Sequence, residues 1–218
     1  LEDQDYWHLS GIYRDVDFYS RPKQRIEDYK IETTFIGGDT RRAMLSVTIW
    51  PNNREPLYGE NHVELTLFDA DGGKVAQFAS IPFAKCGFYL MNKYVAEAKA
   101  EITEPKLWSA ESPYLYTLRL ELIDKSGKKL DEVIAKVGFR ELFINEQGVL
   151  LLNGRRLILR GVNRHEFCPE TGRYVSEEVM REQIIAMKRL NFNAVRTCHY
   201  PDCEKWYDLC DELGMYLV

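Results

Sequence analysis

Two short segments concentrate side chains that could bind a small molecule. The first is Arg160–Glu166 and the second is Asn193–Pro201. Each segment carries one histidine, His165 or His199, just after an apolar run. A histidine ring can donate and accept hydrogen bonds, which suits contact with a hydroxyl group. One such histidine alone is more simply structural, but two at equivalent strand ends favour a shared binding site.

The same segments could also suggest a zinc site or a cysteine nucleophile, but both are less favoured. Cys168, Cys198 and Cys203 lie near the histidines, but the closely spaced cysteine pairs and the helical H-E-x-x-H motif of zinc sites do not occur. Cys198 adjoins His199, and adjacent residues of a strand point to opposite faces. The sequence therefore favours neither a zinc site nor a thiol nucleophile.

Acidic residues near the histidines could instead suggest a carboxylate pair. Glycoside hydrolysis uses two carboxyl groups about 5 to 10 Å apart. Glu166 alternates away from His165 along the strand, and the remaining acids lie on or near a helix whose polar face is expected to be solvated: Asp202, Glu204, Asp208 and Asp211. We therefore expect none of them to act as the acid or the nucleophile.

The elements that carry the histidines alternate between strands and helices. The pattern predicts a strand at Leu157–Val162, a helix capped by Ser176, a strand at Phe192–Thr197, a helix from about Asp202 to Gly214, and a last strand at Met215–Val218. Such an order gives parallel strands, and a (β/α)₈ barrel places its active site at their carboxyl ends. A whole barrel needs about 250 residues, so we expect an incomplete barrel and an internal piece of a larger protein.

The preceding region has the period-two pattern of strands. Seven short strands separated by turn residues predict an immunoglobulin-like sandwich: Arg25–Phe35, Ala43–Trp50, His62–Phe68, Lys74–Ala79, Tyr94–Ile102, Tyr114–Ile123 and Leu130–Val137. The predicted fold class is therefore mainly β, with the start of a TIM barrel after the sandwich. Asn153-Gly154 between these parts predicts a tight hairpin turn.

Composition narrows the possible partners. The chain has 29 basic and 34 acidic residues, with no basic stripe, so we expect no nucleic acid. The sequence has no apolar run of about 18 residues, so we expect no membrane span. Five irregularly spaced cysteines favour reduced thiols over a disulfide framework, and both a cytoplasmic and a periplasmic location stay open.

Several motifs resemble glycoside hydrolase family 2, most closely its β-galactosidases, in the same order along the whole chain. They are Leu1–Val16, Pro105–Ser109, Pro113–Tyr116, Val137–Arg140, Leu152–Gly154, Arg160–Glu166, Cys198–Pro201 and Trp206–Asp211. The resemblance implies that residues 1–21 end a sugar-binding jelly roll, 22–140 form the sandwich and 141–218 begin the catalytic barrel. Phe167 and Cys168 stand where that family usually has histidines, and Cys198 where it commonly has serine.

The same resemblance implies roles for particular residues. His165 and His199 would contact sugar hydroxyls, and Asp5 would contact the sugar and a monovalent cation. Arg196 would support the catalytic carboxylates. The acid/base and nucleophilic glutamates would follow Val218, so we expect the isolated chain to be inactive.

The implied parent is a retaining, homo-oligomeric enzyme that uses magnesium and sodium and removes terminal non-reducing β-D-galactose residues from β-galactosides. Another family 2 activity, such as that of a β-glucuronidase, is the nearest alternative. From a different class, the chain could be a carbohydrate-binding or scaffold sandwich without catalysis.

Overall fold

The computed structural model describes residues 11–52, 61–88 and 91–218, with side chains described outside 85–93. The chain divides into two compact units. One comprises residues 20–157, and the other comprises residues 158–218 with the described N-terminal segment 11–19. Each unit has a hydrophobic core of its own.

The larger unit contains the predicted sandwich. Its eight described strands are β1 (Ile26–Phe35), β2 (Arg42–Pro51), β3 (His62–Phe68), β4 (Lys74–Ala79), β5 (Ala84–Phe88), β6 (Met91–Thr103), β7 (Tyr116–Ile123) and β8 (Lys129–Val137). They form two four-stranded antiparallel sheets, in the orders β1-β2-β6-β5 and β4-β3-β7-β8. The mainly β prediction is confirmed, and all seven predicted strands are present.

One strand of the sandwich was missing from the prediction. Strand β5 pairs antiparallel with β6, from Ala84 opposite Val95 to Phe88 opposite Met91. Its sequence, AKCGF, has apolar residues at alternate positions, but the run is only five residues long and contains lysine and glycine, which are depleted in strands. The pairing with β6 therefore identifies a strand that its own short pattern marks weakly.

Alternation in the central strands produces the sandwich core. In β2, Leu45, Val47 and Ile49 are almost wholly buried, while the residues between them are partly exposed. In β7 of the other sheet, Leu118 and Leu120 are likewise buried between partly exposed residues. All five side chains belong to one core cluster. Complete burial of one such side chain contributes about 1.5 to 3 kcal/mol, so the shared core is what holds the two sheets together.

A small three-stranded sheet follows the sandwich strands. It consists of β9 (Leu142–Ile144), β10 (Leu150–Leu152) and β11 (Arg155–Arg156), paired antiparallel. Asn153 and Gly154 join β10 to β11 with φ angles of 50° and 76°. Two consecutive positive φ angles match the two-residue hairpin turn that Asn-Gly predicts.

The smaller unit has the predicted order of strands and helices. It contains β12 (Gly161–Arg164), α1 (Glu177–Arg189), β13 (Ala194–Thr197), α2 (Glu204–Leu213) and β14 (Tyr216–Leu217). The strands form a parallel sheet in the order β12-β13-β14. This arrangement confirms the predicted beginning of a TIM barrel.

Caps define the helices of this unit. The Val179 N–H donates to the Ser176 hydroxyl at the start of α1. Gly214, with a φ of 76°, ends α2 in the left-handed conformation, and its N–H donates to the Cys210 carbonyl. Both caps are the residues that the sequence predicts, because a hydroxyl suits a helix start and glycine a left-handed end.

The first strand of this sheet begins later than predicted. Its predicted start was Leu157, but β12 starts at Gly161. The Asn193 side chain binds the intervening backbone: Oδ1 accepts the Arg160 N–H, and Nδ2 donates to the Ile158 carbonyl. A side-chain amide therefore replaces part of the strand ladder at this end of the sheet.

Residues 11–19, which the resemblance assigns to the end of a jelly roll, form neither a helix nor a strand. They contribute Arg14, which contacts the segments that follow β12 and β13. The jelly-roll assignment of residues 1–21 stays a prediction. In the part of the chain that the structure describes, no helix is long and apolar enough to cross a membrane.

Candidate functional site

The two predicted histidines lie together at one edge of the parallel sheet. Strand β12 ends at Arg164 and β13 at Thr197, and these two residues are register partners. His165 follows the first strand directly, and His199 lies two residues beyond the second. Their ring centroids are 5.9 Å apart in an edge-to-face arrangement. His165 is half-buried and His199 is exposed, so both rings can contact one small ligand.

Tyr200 lies beside this pair, although no separate role was predicted for it. Its ring centroid lies 6.5 Å from that of His165. Its hydroxyl accepts the Glu166 N–H at 3.1 Å. The Arg173 guanidinium lies 4.9 Å from the Tyr200 ring centroid and 4.6 Å from that of Tyr13. Tyr200 therefore connects the histidine pair to a cluster that contains Arg173 and Tyr13.

Arg196 lies on the exposed face of β13. It is the register partner of Asn163 in β12, so the two side chains share one face of the sheet. Its Nη1 donates to the Cys198 sulfur at 3.2 Å. Arg196 is exposed, a placement compatible with the supporting role that the resemblance implies.

Glu166 is held by the protein on both of its carboxylate oxygens. Its side chain is only 3% exposed. Oε2 accepts a hydrogen bond from Arg14 Nη2 at 2.8 Å, and Oε1 accepts the Cys203 N–H at 3.1 Å. The bond to Glu166 raises the pKa of the Arg14 guanidinium above its usual value. Glu166 is therefore one half of a salt bridge beside the histidines.

Asp202 corrects one expectation from the sequence. It was expected on a solvated helix face, but its side chain is 0% exposed and accepts from Arg164 Nη1 at 2.7 Å. Arg164 also donates from Nε to Gln183 and lies 3.8 Å from the Trp206 ring centroid. Burial raises the pKa of Asp202, and the Arg164 charge opposes that rise. The other acids of this group, Glu204, Asp208 and Asp211, are exposed as expected.

The described cysteines near the site are free thiols. Cys198 is buried, and its sulfur contacts Arg196 rather than His199. Burial raises the pKa of Cys203, and it raises the pKa of Cys210 to about 12. A raised pKa disfavours the thiolate, the form that acts as a nucleophile and metal ligand.

No group of three or more histidine, cysteine, aspartate or glutamate side chains among the described residues is arranged to hold a metal ion. Asp5, the predicted ligand of a monovalent cation, lies outside the described residues. Its predicted contacts with the sugar and the cation therefore stay predictions.

A cavity of about 720 Å³ is lined in part by Glu166, the residue that follows His165. Arg14, Glu166, Arg173 and Asp202 are among its lining residues, and neither histidine is. Two of its carboxylates, those of Glu166 and Asp202, are already ion-paired. The histidines therefore lie at an exposed edge outside this cavity, and that edge is the candidate ligand site.

Comparison with known proteins gives the family. The family model described as glycosyl hydrolases family 2 matches residues 24–140, and the model of that family's TIM barrel domain matches residues 144–218. The whole chain is 43% identical to a β-galactosidase of Vibrio cholerae serotype O1 and 39% identical to one of Halalkalibacterium halodurans, covering 21% and 20% of those proteins. The chain thus spans about a fifth of the length of these curated relatives.

A solved structure extends the comparison to a second activity within the family. The apo structure of Bacteroides uniformis β-glucuronidase 3 matches 88% of this chain and 22% of that protein, with 30% identity and a TM-score of 0.70. The family model that matches residues 24–140 by itself covers more than half of the 218 residues. The chain therefore belongs to glycoside hydrolase family 2.

Proposed function

We propose that this chain is part of a retaining β-galactosidase, which hydrolyses terminal non-reducing β-D-galactose residues. The observation that carries the proposal is the pair His165 and His199, with ring centroids 5.9 Å apart at the ends of neighbouring barrel strands. Barrel enzymes bind their substrates at this edge. Curated relatives that are 36 to 43% identical over the chain are β-galactosidases, which supports galactose as the sugar.

The two histidines would act by contacting hydroxyls of the bound sugar. Hydrogen bonds that tighten as the oxocarbenium-like transition state forms lower the barrier, whereas bonds of constant strength only aid binding. Arg196 would orient the reacting carboxylates. Asp5 would contact the sugar together with a sodium ion, and the magnesium site of the parent would be built from other residues.

The described carboxylates beside the histidines do not supply the chemistry of this proposal. A retaining glycosidase needs two carboxyl groups about 5 Å apart, one of which attacks the sugar. Glu166 is bound by Arg14, and Asp202 is buried against Arg164. We therefore propose that the acid/base and the nucleophile are glutamates outside these 218 residues, and that the isolated chain does not turn over substrate.

The direct experiment compares two chromogenic substrates. The full-length protein that carries this chain is assayed on nitrophenyl β-D-galactoside and on nitrophenyl β-D-glucuronide, beside the isolated 218-residue chain. We expect the full-length protein to prefer the galactoside and the isolated chain to show no turnover above buffer. Turnover by the isolated chain at the full-length rate would contradict the assignment of the carboxylates.

A second candidate function is that of a β-glucuronidase, because the Bacteroides uniformis structure is a β-glucuronidase. A preference of the full-length protein for the glucuronide would replace the galactosidase proposal with this one. Binding of galactose without turnover of either substrate would instead favour a carbohydrate-binding module.

A further inference from the structure

The residues on both sides of His165 connect it to the segment that carries His199. Arg164 precedes His165, and its carbonyl accepts the Cys198 N–H at 2.9 Å. Glu166 follows His165, and its carboxylate accepts the Cys203 N–H at 3.1 Å. Hydrogen bonds from the residues on both sides of His165 therefore connect the two strand-end segments.

Glu166 contacts the His199 segment at two separate points. Its backbone N–H donates to the hydroxyl of Tyr200, the residue next to His199. Its side-chain Oε1 accepts the backbone N–H of Cys203, four residues beyond His199. Two hydrogen bonds to different parts of the His199 segment restrict both its distance from Glu166 and its rotation relative to Glu166. A single hydrogen bond would leave the rotation free.

Arg14 adds a third connection between Glu166 and the His199 segment. Its Nη2 donates to Glu166 Oε2 at 2.8 Å and to the Pro201 carbonyl at 2.7 Å. The same guanidinium therefore holds the residue after His165 and a residue two positions after His199. The bond to Glu166 joins opposite charges, and such bonds are shorter and stronger than neutral ones.

We propose that Glu166, held by Arg14, is a positioning residue that sets the spacing of His165 and His199. Glu166 does not touch the sugar in this proposal, and it acts through the two histidines. The catalytic consequence rests on the proposed function, because the histidines matter for rate only if they contact the reacting sugar. The geometric consequence, a fixed separation of the two rings, does not depend on any activity.

Two substitutions separate the contributions of Glu166. Glu166→Gln keeps the length of the side chain and an oxygen for the Cys203 N–H, but it removes the charge that Arg14 binds. Glu166→Ala removes both side-chain contacts. Glu212→Gln is the matched control, because this substitution makes the same chemical change away from both histidines. Glu212 forms an exposed salt bridge with Arg181.

The kinetic experiment measures kcat and KM of the full-length variants on nitrophenyl β-D-galactoside, corrected for the folded fraction. A displacement of about 1 Å in a reacting group can lower a rate by about 100-fold. We expect kcat to fall by about 100-fold in Glu166→Ala and by about 10-fold in Glu166→Gln, with KM changed much less. Glu212→Gln should match the unmodified protein.

The structural experiment is a crystal structure of each full-length variant. We expect the separation of the His165 and His199 ring centroids to change by more than about 1 Å in Glu166→Ala, since its side-chain contacts are lost. If Glu166→Ala does not fold, the same measurements on Glu166→Gln decide the matter. Unchanged ring separation together with unchanged kcat per folded molecule would overturn the proposal.

The two experiments keep the two proposals apart. If the unmodified full-length protein hydrolyses no galactoside, the proposed function fails, and the ring separation alone still decides whether Glu166 positions the histidines. If the unmodified protein is active but the ring separation and kcat of Glu166→Ala are unchanged, the proposed function stands and the positioning role is wrong.

Discussion

The sandwich and the barrel start hold their strands together by different means. Sandwich strands contain five to 13 residues, and alternate apolar side chains of β2 and β7 fill a core at almost no exposure. The strands of the barrel start contain two to four residues. Beyond their carboxyl ends, ion pairs and backbone contacts join the segments that carry His165 and His199.

This difference separates stability from site geometry. Apolar contacts in the sandwich are numerous and non-directional, so one truncation leaves a cavity but keeps the other contacts. The polar contacts near the histidines are few and directional, and a buried charge that loses its partner cannot return to water. Substitutions in the two regions should therefore have different energetic signatures.

The largest effect on stability is expected at the buried ion pair. Asp202→Ala leaves the Arg164 guanidinium buried without its carboxylate, and removal of one partner from such a pair costs about 3 to 5 kcal/mol. Urea unfolding of the 218-residue chain measures this loss. Glu212→Gln, in the exposed pair with Arg181, should cost less than about 1 kcal/mol. Equal losses of unfolding free energy in the two variants would contradict the predicted difference between buried and exposed ion pairs.

The next effect concerns the sandwich core. Leu120→Ala removes a side chain that is 0% exposed in β7, and such truncations cost about 3 kcal/mol through lost burial and the cavity left behind. Ile134→Ala in β8 is the matched control, because that side chain is 61% exposed. Urea unfolding should place the control within about 0.5 kcal/mol of the unmodified chain. A large loss of stability in Ile134→Ala would show that the exposure of this side chain does not predict its contribution to the free energy of unfolding.

A smaller effect is expected from pH at the buried thiol. Burial raises the pKa of Cys210 to about 12, so the folded chain keeps the proton that the unfolded chain releases above about pH 8.5. The stability due to this thiol is full below about pH 8.5 and decreases as the pH rises toward 12. Between pH 7 and pH 10 the loss of stability should be about 2 kcal/mol.

Unfolding of Cys210→Ala at both pH values isolates this contribution. The variant should lose less stability than the unmodified chain when the pH is raised. An identical pH dependence in the two proteins would mean that the thiol ionises equally well in the folded state.

Local pattern was enough to predict most of the sandwich. The alternation of Ala43, Leu45, Val47 and Ile49 identified β2 and its buried face, because strand side chains alternate between faces. Strand β5 was missed because its alternating apolar positions span only five residues and include a glycine, which weakens a strand. The order of strands within each sheet also depends on long-range pairing that no local pattern contains.

The site was predictable only in part. His165 and His199 were identified because carboxyl ends of parallel strands meet at one edge, and the structure brings these residues together. The contact of Arg14 with Glu166 joins residues 152 positions apart, and no spacing in the sequence indicates it. Asp202 was misjudged because its partner Arg164 lies 38 positions earlier and reaches it only in the folded sheet.

The most direct test of the proposed sugar site is His199→Phe in the full-length protein. The substitution keeps an aromatic ring but removes both ring nitrogens, and loss of one hydrogen bond to a transition state lowers the rate by about 100-fold or more. His62→Phe in β3 of the sandwich makes the same chemical change outside the histidine pair. We predict that kcat/KM for nitrophenyl β-D-galactoside falls at least about 100-fold in His199→Phe and is unchanged in His62→Phe. Unchanged kcat/KM in His199→Phe would contradict the assignment of His199 to the sugar site.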